Sequence, residues 1–135
     1  MKRIITSIVM SIALSGSMVL FAQTPVNGII NANTTWTLAN SPYIVTGNLL
    51  VSSGVTLTIE PGVLVKFGYP LYLQVDGTLI AQGTSSHKII FTSDTLQGPG
   101  SWGHISFTTT STDAVYDIHG NYISGNILEY CIVQY

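Results

Sequence analysis

A phrase of short apolar runs occurs twice in residues 47–93, and this repetition limits the folds that the chain can adopt. Each run ends at Gly, Pro, Asp or Ser, the residues that favour turns. Val51 leads through such a turn to a run that ends at Phe67, and Val75 leads in the same way to Phe91. Both pairs are 24 residues apart, although the middle of the phrase needs a gap of about two residues to align. A repeat of this length predicts a solenoid in which each coil contributes three short strands.

Alternation of apolar and polar residues predicts where the strands lie. Residues 55–59 and 63–67 both alternate with the period of two that indicates a half-buried strand. Residues 43–45 and 49–51 are predicted as two further, separate strands. Strands this short do not suit an ordinary sandwich, in which they run about five or six residues. Residues 76–77, Asp-Gly, could instead close a two-residue hairpin, but the repeat favours the solenoid.

The N-terminus has the three parts of an export signal. Lys2 and Arg3 form a basic start, an apolar run of about 17 residues follows at 4–20, and Ala22 provides a small residue before a cleavage point. The alternative is a retained transmembrane anchor, but five Ser and Gly residues interrupt the run and favour cleavage. We therefore predict a signal peptide at 1–22 and one small domain that is secreted or displayed at the cell surface.

The remainder of the chain carries almost no positive charge. It keeps Lys66 and Lys88, has no arginine, and carries six acidic residues, which gives a net charge of −4. Because phosphate recognition needs clustered Lys and Arg, this argues against nucleic acid, and against an anionic membrane surface after signal cleavage, as partners. The single Cys131 cannot form an internal disulfide, and we interpret it as a small buried hydrophobic residue.

Several phrases carry a family resemblance. Between Trp36 and Phe107 they read WTLANSPYIVTGNLLV, GVTLTIEPGVLVKF, LQVDGTLIAQGT, IIFTS and WGHISF. They resemble the N-terminal coils of secreted bacterial right-handed parallel β-helix repeat proteins, which have the pectin-lyase-like fold. The phrase ILEYCIV at 127–133 is similar to the next core strand of that group. The resemblance implies an all-β, right-handed parallel β-helix.

The repeat and the resemblance together predict the organisation of the chain. Residues 23–42 form an N-terminal cap and 43–135 form about three coils, with a polar loop excursion at about 94–126. Insertions in solenoids become loops on one face, where ligands often bind. The sequence stops in or just after an apolar strand, so we expect an uncapped C-terminal end. Either the natural chain continues beyond Tyr135, or this end self-associates.

Few residues suit catalysis, and no catalytic residue, cofactor or bound metal is predicted. Glu60 and Asp76 lie in turn phrases, where carboxylates serve local hydrogen bonding. The remaining candidates lie in the second half of the chain: for a metal, Asp94, Asp113 and Asp117, and for a ligand, Trp102, His104 and His119. The spacing D-x-x-x-D-x-H within the excursion matches no established ligand motif, so solvated loop residues are the simpler interpretation.

The resemblance also bears on function. Pectate lyases on this fold use an arginine base and a calcium-binding acidic cluster, and the chain has no arginine beyond Arg3. We therefore predict a β-helix segment with a structural or binding role and no catalysis of its own, with extracellular polysaccharide or a surface polymer as its partner. The alternatives are the N-terminal part of a polysaccharide-active lyase or hydrolase whose active site lies in further coils, and a segment of an adhesin passenger domain.

Overall fold

The computed structural model describes residues 22–95 and 98–135, and the predicted signal peptide lies outside these ranges except for its last residue. Within them the regular structure is thirteen β-strands and one 3₁₀ turn, Leu38–Asn40, with no α-helix, which confirms the all-β prediction. None of the described segments is a helix that could span a bilayer. The strands are β1 (Thr24–Ile30), β2 (Thr34–Trp36), β3 (Tyr43–Val51), β4 (Thr56–Ile59), β5 (Leu64–Phe67), β6 (Leu73–Val75), β7 (Thr78–Gln82), β8 (Ile89–Ser93), β9 (Ile105–Phe107), β10 (Val115–Tyr116), β11 (Tyr122–Ser124), β12 (Ile127–Glu129) and β13 (Cys131–Val133).

The long strand β3 shows how the sheets are organised. Its first half, residues 43–45, pairs with β5, its second half, residues 49–51, pairs with β6, and β1 pairs with both halves on the other side. The prediction of two separate strands here was wrong, because the chain changes partner at 46–48 without leaving the extended conformation. Three ladders of parallel strands result. The first ladder continues through β5, β8 and β13, the second through β6 and β9, and the third consists of β2, β4, β7 and β12.

The chain visits the three ladders in a fixed order. From β3 onward it passes to the third ladder in β4, the first in β5, the second in β6, and the third again in β7. Parallel strands connected in this order wind around a shared interior, an arrangement consistent with a β-helix. The alternative of a hairpin closed by residues 76–77 was wrong, because β6 and β7 lie on different ladders and do not pair with each other.

The repeat found in the sequence matches the strand register at one of its two anchor points. Val51 pairs directly with Val75, as their spacing predicts. Phe91, however, lies opposite Val65, and Phe67 lies opposite Ser93. The connection from β6 to β7 is shorter than that from β3 to β4, and the one from β7 to β8 is longer than that from β4 to β5. The second copy of the phrase therefore reaches the first ladder two residues out of step.

Inward-facing side chains of the three ladders fill the interior. Alternation at 55–59 and 63–67 identified the correct faces, although Val55 is only half-buried. Each large apolar side chain that is fully buried contributes about 1.5–3 kcal/mol to folding. The side chains with no exposed surface are Val51, Leu57, Val63, Val65, Phe67, Leu73, Val75, Leu79, Ala81, Ile89 and Phe91.

Polar side chains at the turns join successive layers of strands. The Oδ1 atoms of Asn33, Asn48 and Asn126 each accept a hydrogen bond from a backbone N–H of a neighbouring layer, at 2.9, 3.3 and 2.7 Å respectively. In the segment predicted as a cap, β1 and β2 form the first described layer and pair with β3 and β4. Trp36 of this layer is buried and stacks on Tyr43, with ring centroids 4.7 Å apart. The asparagine-rich N-terminal segment is thus bonded to the ladders.

The predicted excursion at about 94–126 contains a side hairpin. The sequence predicts one strand in this excursion, around residues 115–118. The structure has two, β10 and β11, which pair antiparallel.

The phrase WGHISF at 102–107 predicts one strand, but β9 begins only at Ile105. Trp102 instead turns into the interior and stacks on Phe67, with ring centroids 4.4 Å apart. The tail that was predicted as one core strand divides at Tyr130, whose φ of 48° lets the chain turn from β12 on the third ladder to β13 on the first.

Candidate functional site

The hairpin stands beside β12, and a cleft of about 400 Å³ lies between them. Tyr116, Asn121 and Tyr122 line it from the hairpin, and Leu128 and Glu129 line it from β12. Aromatic rings next to a few polar groups in a concave surface are the usual composition of a ligand site. This cleft, which we call the hairpin cleft, is the candidate functional site.

Two tyrosines form the aromatic part of the hairpin cleft. The rings of Tyr116 and Tyr122 meet edge to face, with centroids 6.0 Å apart. The hydroxyl of Tyr122 donates a hydrogen bond to the backbone oxygen of Gly125 at 2.7 Å. Burial, and secondarily the nearby Tyr116, raises the pKa of Tyr122, so this phenol stays protonated. Tyr116 is 54% exposed, and its ring is available for stacking against a ligand.

Asp117 organises the turn that joins the two hairpin strands. Its Oδ1 accepts hydrogen bonds from the backbone N–H groups of His119 and Asn121, both at 2.8 Å, and its Oδ2 accepts one from the Asn121 side chain at 2.8 Å. These bonds, that from the Asn121 side chain foremost, lower the pKa of Asp117. The carboxylate therefore serves the turn, as Asp often does. His119 and Asp113 are exposed on the same excursion.

The other three candidates are held by contacts elsewhere. Asp94 Oδ1 lies 3.6 Å from the Nζ of Lys66, a partly exposed pair of the kind that contributes at most about 1 kcal/mol. The indole N–H of Trp102 donates to the backbone oxygen of Gln134 at 2.9 Å. The ring of His104 stacks parallel to that of Tyr72, with centroids 5.2 Å apart. Across residues 22–95 and 98–135, no group of three or more His, Cys, Asp or Glu side chains could hold a metal ion.

Most acidic groups of the described chain have a structural partner. Besides Asp94 and Asp117, three further carboxylates accept hydrogen bonds that tie turns or neighbouring strands together. The backbone N–H of Leu38 donates to Glu60 at 2.8 Å, and the Gln82 side chain donates to Glu129 at 3.1 Å. The side chains of Gln74 and Thr108 both donate to Asp76, each at 2.9 Å. Five of the six carboxylates in the sequence are thus used within the fold, including the two predicted to act in turns.

Cys131 is a half-buried residue of the first ladder. It packs against the apolar interior, and its Sγ lies 3.3 Å from the backbone oxygen of Ala81 and 3.4 Å from that of Glu129. Burial raises the pKa of its thiol, so the sulfur remains protonated and is a poor nucleophile.

Sequence reasoning missed the tyrosine pair of the hairpin cleft. The signal that could have found it is the segment DIHGN at 117–121, which lies between the two tyrosines. Asp, Gly and Asn between two β-formers are typical of a hairpin turn, and Gly120 has a φ of 83° here. A hairpin in turn places residues from its two strands side by side.

Comparisons with known proteins agree with the ladders described above. Residues 28–117 match the family described as pectate-lyase like beta helix domain. Among curated proteins, Protein bark beetle of Drosophila melanogaster is 38% identical over 55 residues. This match covers 41% of the present chain and spans only 2% of that much longer relative. No solved structure matches the chain.

Proposed function

Because this chain belongs to the family of pectate-lyase-like β-helix domains, we propose that it is a stiff β-helical segment with a structural or binding role and no catalysis of its own. Membership of the family fixes the fold but not the function, which depends on the groups placed on that fold. The observation that supports a scaffold is the use of five of the six carboxylates within turns and ladders. These are the groups from which glycoside-cleaving sites are built.

The proposed fold is a right-handed parallel β-helix of about three coils, with residues 23–42 as its N-terminal cap. Two points support it: the fixed order in which the chain visits the ladders, and the right-handedness of nearly all crossovers between parallel strands. A crystal structure with left-handed winding would contradict this part of the proposal.

The proposed binding surface is the hairpin cleft, and extracellular polysaccharide is the ligand that its chemistry fits. The exposed ring of Tyr116 can stack on the apolar face of a sugar. Asn121 and Glu129 beside it are bonded to Asp117 and Gln82, and their remaining hydrogen-bonding capacity can serve sugar hydroxyl groups. The net charge of −4 over residues 23–135 favours a neutral polysaccharide over an anionic one.

Replacing Tyr116 with alanine is expected to weaken polysaccharide binding about two- to thirteenfold, because an aromatic contact contributes about 0.5–1.5 kcal/mol. Calorimetric titration of the purified chain with a panel of neutral polysaccharides measures this change. Tyr69→Ala is the matched control, since Tyr69 is 67% exposed but does not line the hairpin cleft, and it should leave binding unchanged. An equal loss in both variants would place the binding surface elsewhere.

The same panel tests the absence of catalysis. We expect the purified chain to release neither reducing ends nor unsaturated ends from any of these polysaccharides during prolonged incubation. Release of either product would overturn the scaffold role in favour of a polysaccharide-active enzyme.

The proposed location is outside the cell, after removal of residues 1–22. The basic start, the apolar run and Ala22 support this. When the full chain is expressed in a bacterial host, N-terminal sequencing of the recovered protein should begin at Gln23. A chain that keeps Met1 and stays in the membrane fraction would contradict cleavage and favour the transmembrane anchor.

A further inference from the structure

The side chain of Asn121 is held in one orientation at the rim of the hairpin cleft. It donates a hydrogen bond from Nδ2 to Oδ2 of Asp117 at 2.8 Å. The hydrogen bonds that lower the pKa of Asp117 keep this carboxylate ionised, and an ionised carboxylate can only accept. The amide nitrogen of Asn121 must therefore face Asp117, which leaves the amide oxygen as an acceptor beside the cleft.

Glu129 is oriented in a similar way on the other wall of the cleft. Gln82 donates from Nε2 to Oε2 of Glu129 at 3.1 Å, and among the described residues Oε1 has no partner. Glu129 is exposed and lines the cleft. Its carboxylate offers lone pairs and a negative charge but no donor. The second polar side chain of the cleft is thus also an acceptor.

Asp117 takes up the backbone donors of the hairpin turn. The N–H groups of His119 and Asn121 both donate to its Oδ1, and the N–H group of Gly120 donates to its backbone oxygen at 3.0 Å. Successive backbone N–H groups of this kind are what a turn uses to bind an anion. Because all three serve Asp117, the turn does not offer them to the acidic groups of an anionic polysaccharide.

The charge and the aromatic ring of the cleft favour a cation. Within residues 22–95 and 98–135 no lysine lines the cleft to balance Glu129, and Lys66 and Lys88 lie on the first ladder and before it. The face of the exposed Tyr116 ring is negative, and such a face attracts a cation within about 6 Å of its centre. An ammonium group is the ligand that this ring and the carboxylate both attract.

We propose, on the basis of the proposed function, that the hairpin cleft selects a polysaccharide with protonated amino groups, a polymer of amino sugars. The ammonium group would donate to Oε1 of Glu129 and to the side-chain oxygen of Asn121, and the sugar ring that carries it would lie against Tyr116. The three N–H donors of an ammonium group suit a cleft whose free polar atoms are acceptors. The net charge of −4 over residues 23–135 attracts the same polymer to the chain.

Calorimetric titration of the purified full chain with three oligosaccharides of equal length tests this selectivity. Oligomers of cellulose, chitin and chitosan share one backbone and carry a hydroxyl, an acetamide or an ammonium group at the same carbon. At a mildly acidic pH, where the amine is protonated, the chitosan oligomer should bind about tenfold more tightly than the cellulose oligomer, because an exposed ion pair and a cation–π contact each add a few-fold. Equal binding of all three would overturn the amino-sugar selectivity and leave the proposed function standing, whereas binding of none would overturn both.

Two charge-removing variants test whether the selectivity comes from the cleft. Glu129→Gln removes the charge with little change of shape, so it should bind the chitosan oligomer no more tightly than the cellulose oligomer. Asp113→Asn is the matched control, since Asp113 is exposed on the same excursion but does not line the cleft, and it should keep the tenfold preference. An equal loss in both variants would assign the preference to net charge and overturn the proposal. A lysine oligopeptide that bound as tightly as the chitosan oligomer would overturn the sugar as the ligand.

Discussion

The Val65→Asp variant will fail to fold. Val65 has no exposed surface and lies in a column of paired residues between Tyr43 and Phe91, so no rotamer brings a carboxylate there to water. Burying a charge without a partner costs several kcal/mol, which is comparable with the about 5–15 kcal/mol that stabilises a whole domain. The far-ultraviolet circular dichroism spectrum should lose its β signal, and thermal scans should show no cooperative transition.

The neighbouring residue provides the control for this substitution. Lys66 faces outward on the same strand, and its partly exposed pair with Asp94 contributes at most about 1 kcal/mol. Lys66→Asp should therefore fold and melt only slightly earlier than the wild type. If Lys66→Asp unfolded while Val65→Asp remained stable, the inward and outward faces of β5 would be the reverse of those described here.

The sequence was sufficient to assign these faces because period-two alternation reports burial directly. The sequence was insufficient for the register, because the turns differ in length between the two copies of the phrase. Alternation within a strand does not show how many turn residues precede it, and this number decides which residues pair. The placement of Phe91 opposite Val65 is the result. The sequence pattern also did not show which strands pair with each other. The signals Thr-Gly-Asn at 46–48 indicated a break, yet β3 continues because both of its halves are held by β1.

The candidate site was less predictable because its parts come together through long-range contacts. Trp102 lies in a segment rich in Gly and Ser and belongs to no alternating pattern, so nothing local indicated that it stacks on Phe67. His104 and Tyr72 are likewise brought together by the pairing of β6 with β9. Asp117 was recognised as a polar loop residue, but its role in the turn follows from its hydrogen bonds to Asn121.

Gly77→Ala should lower the free energy of unfolding by about 1–3 kcal/mol, the usual cost of forcing extra atoms into a packed site. A Cβ at this position would overlap the backbone oxygens of Ser52 and Val55. Those atoms cannot rotate away, and the Val55 oxygen also accepts the 2.8 Å hydrogen bond from the N–H of Thr78 that starts β7. Relief of the overlap therefore separates two layers of the third ladder. Urea denaturation should show a lower midpoint with an unchanged slope.

Gly68→Ala separates this steric cause from the general effect of replacing a glycine. A Cβ at Gly68 would meet its nearest atoms, on Leu71 and Val45, at 3.4 and 3.6 Å, which is ordinary contact, so its midpoint should change little. Neither glycine has a positive φ, so backbone strain does not distinguish the two variants. In a two-residue hairpin Gly77 would be needed for its left-handed conformation. In the parallel ladders glycine is needed because the backbone of residues 52–55 leaves no room for a Cβ at position 77. Equal stability of the two variants would refute that explanation.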